Sequence, residues 1–165
     1  MLSRIMLVAG AFGLLCSAAL AQPAAPLAGP TMSNHPADAF KHYSAAELAG
    51  MVNKPDVGPI LGLISDHENW LSEMIARNGT GQVEIHDHFI DIMSVLSGNA
   101  TITYGGTVTG NKETAPGEWR GGTIAGGTSV DVHAGDYIQI PAGTPHLTSV
   151  AAGTNFKVLT IKVRQ

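Results

Sequence analysis

From Trp70 onward, apolar and polar positions alternate: Trp70, Ser72, Met74 and Ala76 against Leu71, Glu73, Ile75 and Arg77. A period of two is a strand pattern, because successive side chains of a strand point to opposite faces. The cluster Asn78-Gly79-Thr80-Gly81 is a turn, and Gln82 to His88 reads as the strand returning from it. Ile92 to Leu96 and Ala100 to Tyr104 form another pair around Ser97-Gly98-Asn99. With Tyr137 to Ile140 and Phe156 to Val163, the set comes to roughly eight short strands. Helix is predicted in one place. Ser44 and Glu47 are spaced as a capping box, so a short helix should run from Ala45 to Asn53 and stop before Pro55 and Gly58-Pro59. Many strands, many turns and one short helix make an all-β sandwich or jelly-roll barrel.

The N-terminus is different in kind. Arg4 precedes an apolar run from Ile5 to Leu15, too short to span a bilayer comfortably, and Ala19-Leu20-Ala21 is a small-x-small cleavage pattern. Residues 1–21 are therefore expected to be a signal peptide and the protein to be secreted or periplasmic. Residues 22–37 are rich in Ala and Pro without apolar periodicity and read as a disordered or extended linker. Residues 38–165 remain as one domain. The one cysteine, Cys16, lies in the leader, so the mature chain has no disulfide, no thiolate ligand and no thiol nucleophile. Without Arg4, eight Lys and Arg face 13 Asp and Glu, a net charge of about −5 that argues against nucleic acid as a partner.

Chemistry enters with Glu84-Ile85-His86-Asp87-His88. Histidines two apart on a strand share a face, with Cα atoms ~6.6 Å apart, and both rings can converge on one ion. Alone, the pair also reads as two surface histidines. A second stretch changes the picture: Gly135-x5-Pro141-Ala142-Gly143-Thr144-Pro145-His146 is a Gly-bounded strand, a Pro-x-Gly turn and then a histidine. Pro141 and Pro145 stiffen the loop and Gly143 permits the reversal, so one imidazole is presented rigidly.

These two stretches resemble the two motifs of the cupin superfamily. His86-x-His88 with Gly98 downstream is similar to the first motif, and Gly135-x5-Pro141-x-Gly143-x2-His146 matches the spacing of the second. The resemblance covers about Trp70 to Val163, and Gly105 to Gly127 is similar to a Gly-rich insert of some small bacterial cupins. It implies a cupin jelly-roll barrel with a short N-terminal helix. It also implies one divalent transition metal ion (Fe, Mn, Ni, Zn or Cu) held by His86, His88, His146 and an acid that falls on Asp91. Only Phe89 and Ile90 separate Asp91 from His88, where the motif has three or four residues, so Asp91 either coordinates or orients a ligating histidine.

Glu84 is the rival acid, and four residues of straight strand put it ~13 Å from His88. Its two readings are a base or proton shuttle above the metal and a solvated position. His133, His35 and His42 are expected to be solvated, and Asp66 to Asn69 a polar connector or pocket rim. Arg120 either holds a substrate carboxylate or belongs to a surface hairpin whose Trp119 covers the barrel edge. The function expected is that of a metal-dependent enzyme on a small organic molecule, of oxygenase, isomerase or lyase type. The alternative is a non-catalytic ligand- or metal-binding module. Cupins are frequently dimers, which makes a homodimer a further possibility.

Overall fold

The computed structural model describes residues 40–51 and 60–165. The expected signal peptide, the whole of the expected linker and the expected helix end at Asn53 lie outside the described residues. Helix α1 (Ala45–Gly50) starts as its capping box demands: the Ser44 hydroxyl accepts from the Glu47 N–H, and the Glu47 carboxylate accepts from the Ser44 N–H at 2.7 Å. Leu48 and Met51 pack against Met74 and Ala76 on the outer face of a sheet.

The described residues hold thirteen strands: β1 (Ile60–Asp66), β2 (Trp70–Arg77), β3 (Glu84–His86), β4 (Phe89–Ser97), β5 (Asn99–Tyr104), β6 (Thr107–Thr109), β7 (Lys112–Ala115), β8 (Glu118–Arg120), β9 (Thr123–Ala125), β10 (Thr128–His133), β11 (Tyr137–Ile140), β12 (His146–Ser149) and β13 (Phe156–Arg164). One sheet has the order β1-β2-β13-β4-β11, a second the order β10-β5-β12-β3-β8-β7, and β6 pairs with β9. All pairs are antiparallel.

Among the described residues the expected closed barrel is not formed. Both large sheets are open, with β1 and β11 at the edges of one and β10 and β7 at the edges of the other. They face each other as a sandwich over Ile75, Met93, Val95, Phe156 and Val158 from one side and Ala100, Ile102 and Val132 from the other. The expected hairpins fail for a related reason. Gln82–His88 does not return beside β2, nor does β5 pair with β4: in each case the chain crosses to the opposite sheet. At the second crossing Gly98 has φ +74°, and a Cβ there would lie 2.5 Å from the Asn155 carbonyl oxygen. Only glycine fits that corner.

The Gly-rich stretch from Gly105 to Gly127 carries four strands, β6 to β9. Its β7 and β8 extend the six-stranded sheet past β3, which sets Glu118, Trp119 and Arg120 opposite His86, Ile85 and Glu84. No helix among the described residues is long and apolar enough to cross a membrane.

Candidate metal centre

Parity on three strands builds the site. Met93 and Val95 of β4 lie in the core between the sheets, so Asp91, two residues earlier, faces the same interior. Val158 does the same for Thr160 and Lys162 on β13, and Ile75 for Glu73 on β2. From the other sheet come Glu84 and His86 of β3 and His146 at the start of β12, where His146 is the register partner of Glu84.

Glu84, His86 and His146 form a buried cluster whose ligand atoms lie within 4.8 Å of one another, consistent with a site for one divalent metal ion. His86 Nε2 is 3.5 Å from Glu84 Oε2 and 3.5 Å from Asp91 Oδ2, and His146 Nε2 is 3.7 Å from Asp91 Oδ2. Donors ~2 Å from a shared ion stand ~3–4 Å apart, so these separations suit a metal. The other ring nitrogens are already engaged. His86 Nδ1 lies 2.7 Å from Glu118 Oε2, and His146 Nδ1 lies 3.0 Å from the Thr144 carbonyl oxygen. Both imidazoles are thereby aimed with Nε2 inward, as metal-ligating histidines are. The loop carrying His146 is fixed to β3 by the Gly143 N–H, which donates to the His86 carbonyl at 2.8 Å.

His88 is not in this cluster. β3 stops at His86, and Asp87 and His88 form the turn into β4, with His88 exposed and its ring against Gly117. The alternation that would align His86 with His88 ends one residue too early. The pair that shares a face is Glu84 and His86, which answers the expectation of Glu84 as a base standing above the ion: its carboxylate is among the donors. Moving the first motif back by two residues also removes its spacing defect, because four residues separate His86 from Asp91 and six separate Asp91 from Gly98.

Electrostatics around the donors is dense. Arg77 bonds Glu84 at 3.0 Å and Arg120 bonds Glu118 at 2.9 Å. Lys162, missed by the sequence analysis, places Nζ 2.6 Å from Asp91 Oδ1 and 3.0 Å from His86 Nε2. Burial and the Lys162 charge push His86 down, but hydrogen bonds to Asp91, Glu118 and Glu84 outweigh them and hold it up to about 10. Burial alone would raise Glu84, Asp91 and Glu118; their cationic and histidine partners hold all three below the usual carboxylate range. His146 is lowered, chiefly by burial. Glu73, also buried and facing this interior, is raised by burial against the pull of Lys162.

The remaining sequence candidates lie elsewhere. His133 is exposed, 3.8 Å from Asp136, and His42 is exposed before α1. His35 lies outside the described residues. His67 in the β1–β2 connection is buried and stacks on Trp70 at 4.3 Å. Trp119 covers the β3–β4 turn through Nε1, which donates to Asp87 at 2.9 Å. Arg120 faces Glu118 and Glu84 instead of an open pocket. A cleft of about 470 Å³ opens between the β10 and β11 edges, lined by Ile102, Tyr104, Val132, Ile140 and Thr144 among others. Two of its lining residues pair in register with donors, Tyr104 with His146 and Ile140 with Asp91, while none of Glu84, His86, Asp91 and His146 lines the cleft itself.

No protein-family model and no curated protein sequence matches the chain. Solved structures do resemble it. An uncharacterized conserved protein with a double-stranded β-helix domain from Klebsiella pneumoniae aligns over 76% of this chain and 91% of its own, with TM-score 0.56 and 16% identity. A Bacillus halodurans protein aligns over 76% and 83%, with TM-score 0.52 and 13% identity. A Ralstonia eutropha protein provisionally assigned as a mannose-6-phosphate isomerase aligns over 76% and 100%, with TM-score 0.52 and 18% identity. At such identities the likeness is one of fold. The described residues share the fold of these structures, built here from two open antiparallel sheets.

Proposed function

We propose that the protein is a metal-dependent enzyme acting on a small organic molecule, with Glu84, His86, Asp91 and His146 holding a single divalent ion. The observation that carries this reading is the paired orientation of two imidazoles: each has Nδ1 occupied, by Glu118 or by the Thr144 carbonyl, and each turns Nε2 toward the same carboxylate, Asp91, at 3.5 and 3.7 Å. When bound, the ion supplies a Lewis acid for a carbonyl or enediol oxygen, or a site for dioxygen. The chain's own residues do the positioning. Glu118 and Thr144 fix the rings, Arg77 fixes Glu84, and Ile102, Tyr104, Val132 and Ile140 give the neighbouring cleft an apolar wall. Its volume falls within the ~300–1,000 Å³ of small-molecule sites.

Oxygenase, isomerase and lyase chemistry all fit a mixed nitrogen and oxygen donor set, and the isomerase assignment of the Ralstonia protein is in keeping with one of them. The test is elemental analysis of the purified protein followed by turnover assays with enolisable and phenolic substrates, with oxygen uptake followed throughout. One equivalent of a transition metal and turnover of any substrate support the proposal. Tight ligand binding without metal or turnover would replace it with a non-catalytic binding module. In the same reading residues 1–21 direct export, residues 22–37 are a linker and residues 38–165 are the working domain. N-terminal sequencing of the mature protein should begin at Gln22.

A further inference from the structure

Three carboxylates of the buried cluster each meet a cation: Asp91 meets Lys162 at 2.6 Å, Glu118 meets Arg120 at 2.9 Å, and Glu84 meets Arg77 at 3.0 Å. Lys162 differs from the two arginines in what else it touches. Its Nζ also sits 3.0 Å from His86 Nε2, so it occupies donor atoms of both sheets that a divalent ion would use. An ammonium and a divalent ion cannot share those lone pairs, and two positive centres a few ångströms apart in a buried site repel strongly. For the ion to enter, the ammonium must move.

Among the described residues, a destination lies on the sheet that carries Lys162 itself. Thr160, two residues before Lys162 on the same face of β13, has a buried Oγ1 with no hydrogen-bond partner among the described residues. Directly opposite Thr160 in the β13–β2 register stands Glu73, buried and facing the same interior. Glu73 is thus the diagonal cross-strand neighbour of Lys162, ~7–8 Å away at Cα and within the span of a lysine side chain. A carboxylate and a hydroxyl oxygen together replace the carboxylate and imidazole that Nζ would leave.

Resting on the metal reading above, we propose that Lys162 is a movable internal cation: it sits on Asp91 and His86, and yields them to an incoming divalent ion by turning to Glu73 and Thr160. Metal affinity is then set by a contest between the ion and the chain's own ammonium, and Glu73 is the residue that lets the ammonium concede. Lys162 and Glu73 touch no substrate in this scheme; they are positioning residues.

The test is a double-mutant cycle on the mature protein, titrating Zn²⁺ and Ni²⁺ separately by calorimetry with chelator competition. Circular dichroism and thermal melts verify that each variant is folded. Lys162→Met should bind metal more tightly than the parent, on the order of tenfold. Glu73→Gln should bind more weakly by a similar factor in the parent background, and should change nothing in the Lys162→Met background. Thr160→Val gives a second, isosteric probe of the destination and should also weaken binding only while Lys162 is present. Equal affinity in parent and Lys162→Met, or a Glu73→Gln effect of the same size in both backgrounds, overturns this proposal and leaves the metal centre standing. Failure of every form to bind either ion brings down the metal centre and this proposal together.

Discussion

Glu118 Oε2 and His86 Nδ1 are 2.7 Å apart, a contact between a residue of the Gly-rich stretch and a residue of the first histidine motif, 32 positions earlier in the chain. The contact decides which ring nitrogen of His86 looks into the cluster, and Arg120 holds the carboxylate in place from behind. The expected consequence is a loss of metal affinity of about 10–100-fold for Glu118→Ala. Glu118→Gln keeps an accepting oxygen and should lose much less. A titration against a chromophoric chelator measures both; an unaltered affinity in Glu118→Ala would mean that the ring needs no such support.

The histidines are separable. His86→Ala and His146→Ala should each abolish stoichiometric metal, because each removes an inward Nε2. His88→Ala should retain a full equivalent, because His88 is exposed in the β3–β4 turn. Elemental analysis of the three purified variants checks this. Loss of metal in His88→Ala equal to that in the other two would restore the 86/88 pairing.

The pH dependence of the metal-free protein follows from two histidines shifted in opposite directions. His86 is held up to about 10, so its contribution to stability is complete below its ordinary value of 6.5 and is lost as pH rises toward about 10. His146 is lowered from 6.5, so its contribution is complete above that value and is lost as pH falls below it. Glu84, Asp91 and Glu118, all lowered, add a further loss below their ordinary values of 4.5, 3.8 and 4.5. Glu73, raised by burial, works the other way and is outnumbered. Stability should therefore peak near pH ~6.5 and fall on both sides. Urea denaturation across pH 3 to 10 in chelator tests it, and a flat profile from pH 6.5 upward would contradict the His86 assignment.

Gly98→Ala should destabilise the fold by about 1–3 kcal/mol, since it forces a left-handed backbone at a crossing where a Cβ meets the Asn155 carbonyl at 2.5 Å. Chemical denaturation gives the value. A change below about 0.5 kcal/mol would mean the corner relaxes freely.

Part of the molecule was legible in advance for local reasons. The Ser44–Glu47 cap and the strand Trp70–Arg77 are written in short-range pattern, and both appear with the residues anticipated. The helix of which Ser44 is the cap is visible as far as Gly50. His88 misled because alternation was carried through a turn: Asp87 and His88 carry no glycine or proline to mark the end of β3. Counting five residues back from Asp91 would have landed on His86 and brought Glu84 into the pair. Lys162 left a fainter trace, since Phe156, Val158, Thr160 and Lys162 share one parity and a lysine at the end of an apolar face needs a partner. Which partner is a tertiary fact. So is the failure to close: no local pattern tells whether strands such as β10 and β11, adjacent in the chain, will pair or face each other across a gap.

The repeated crossing of the chain from one sheet to the other has a consequence for biogenesis. The cluster's components are drawn from residue 73 through residue 162, and no contiguous fragment assembles more than a portion of it. A nascent polypeptide emerging from the ribosome would present isolated imidazoles without the partner donors needed to hold an ion. Cation capture would accordingly be postponed until β12 has brought His146 beside Glu84 and His86, so that a shorter fragment is spared from picking up whichever ion it happens to meet first.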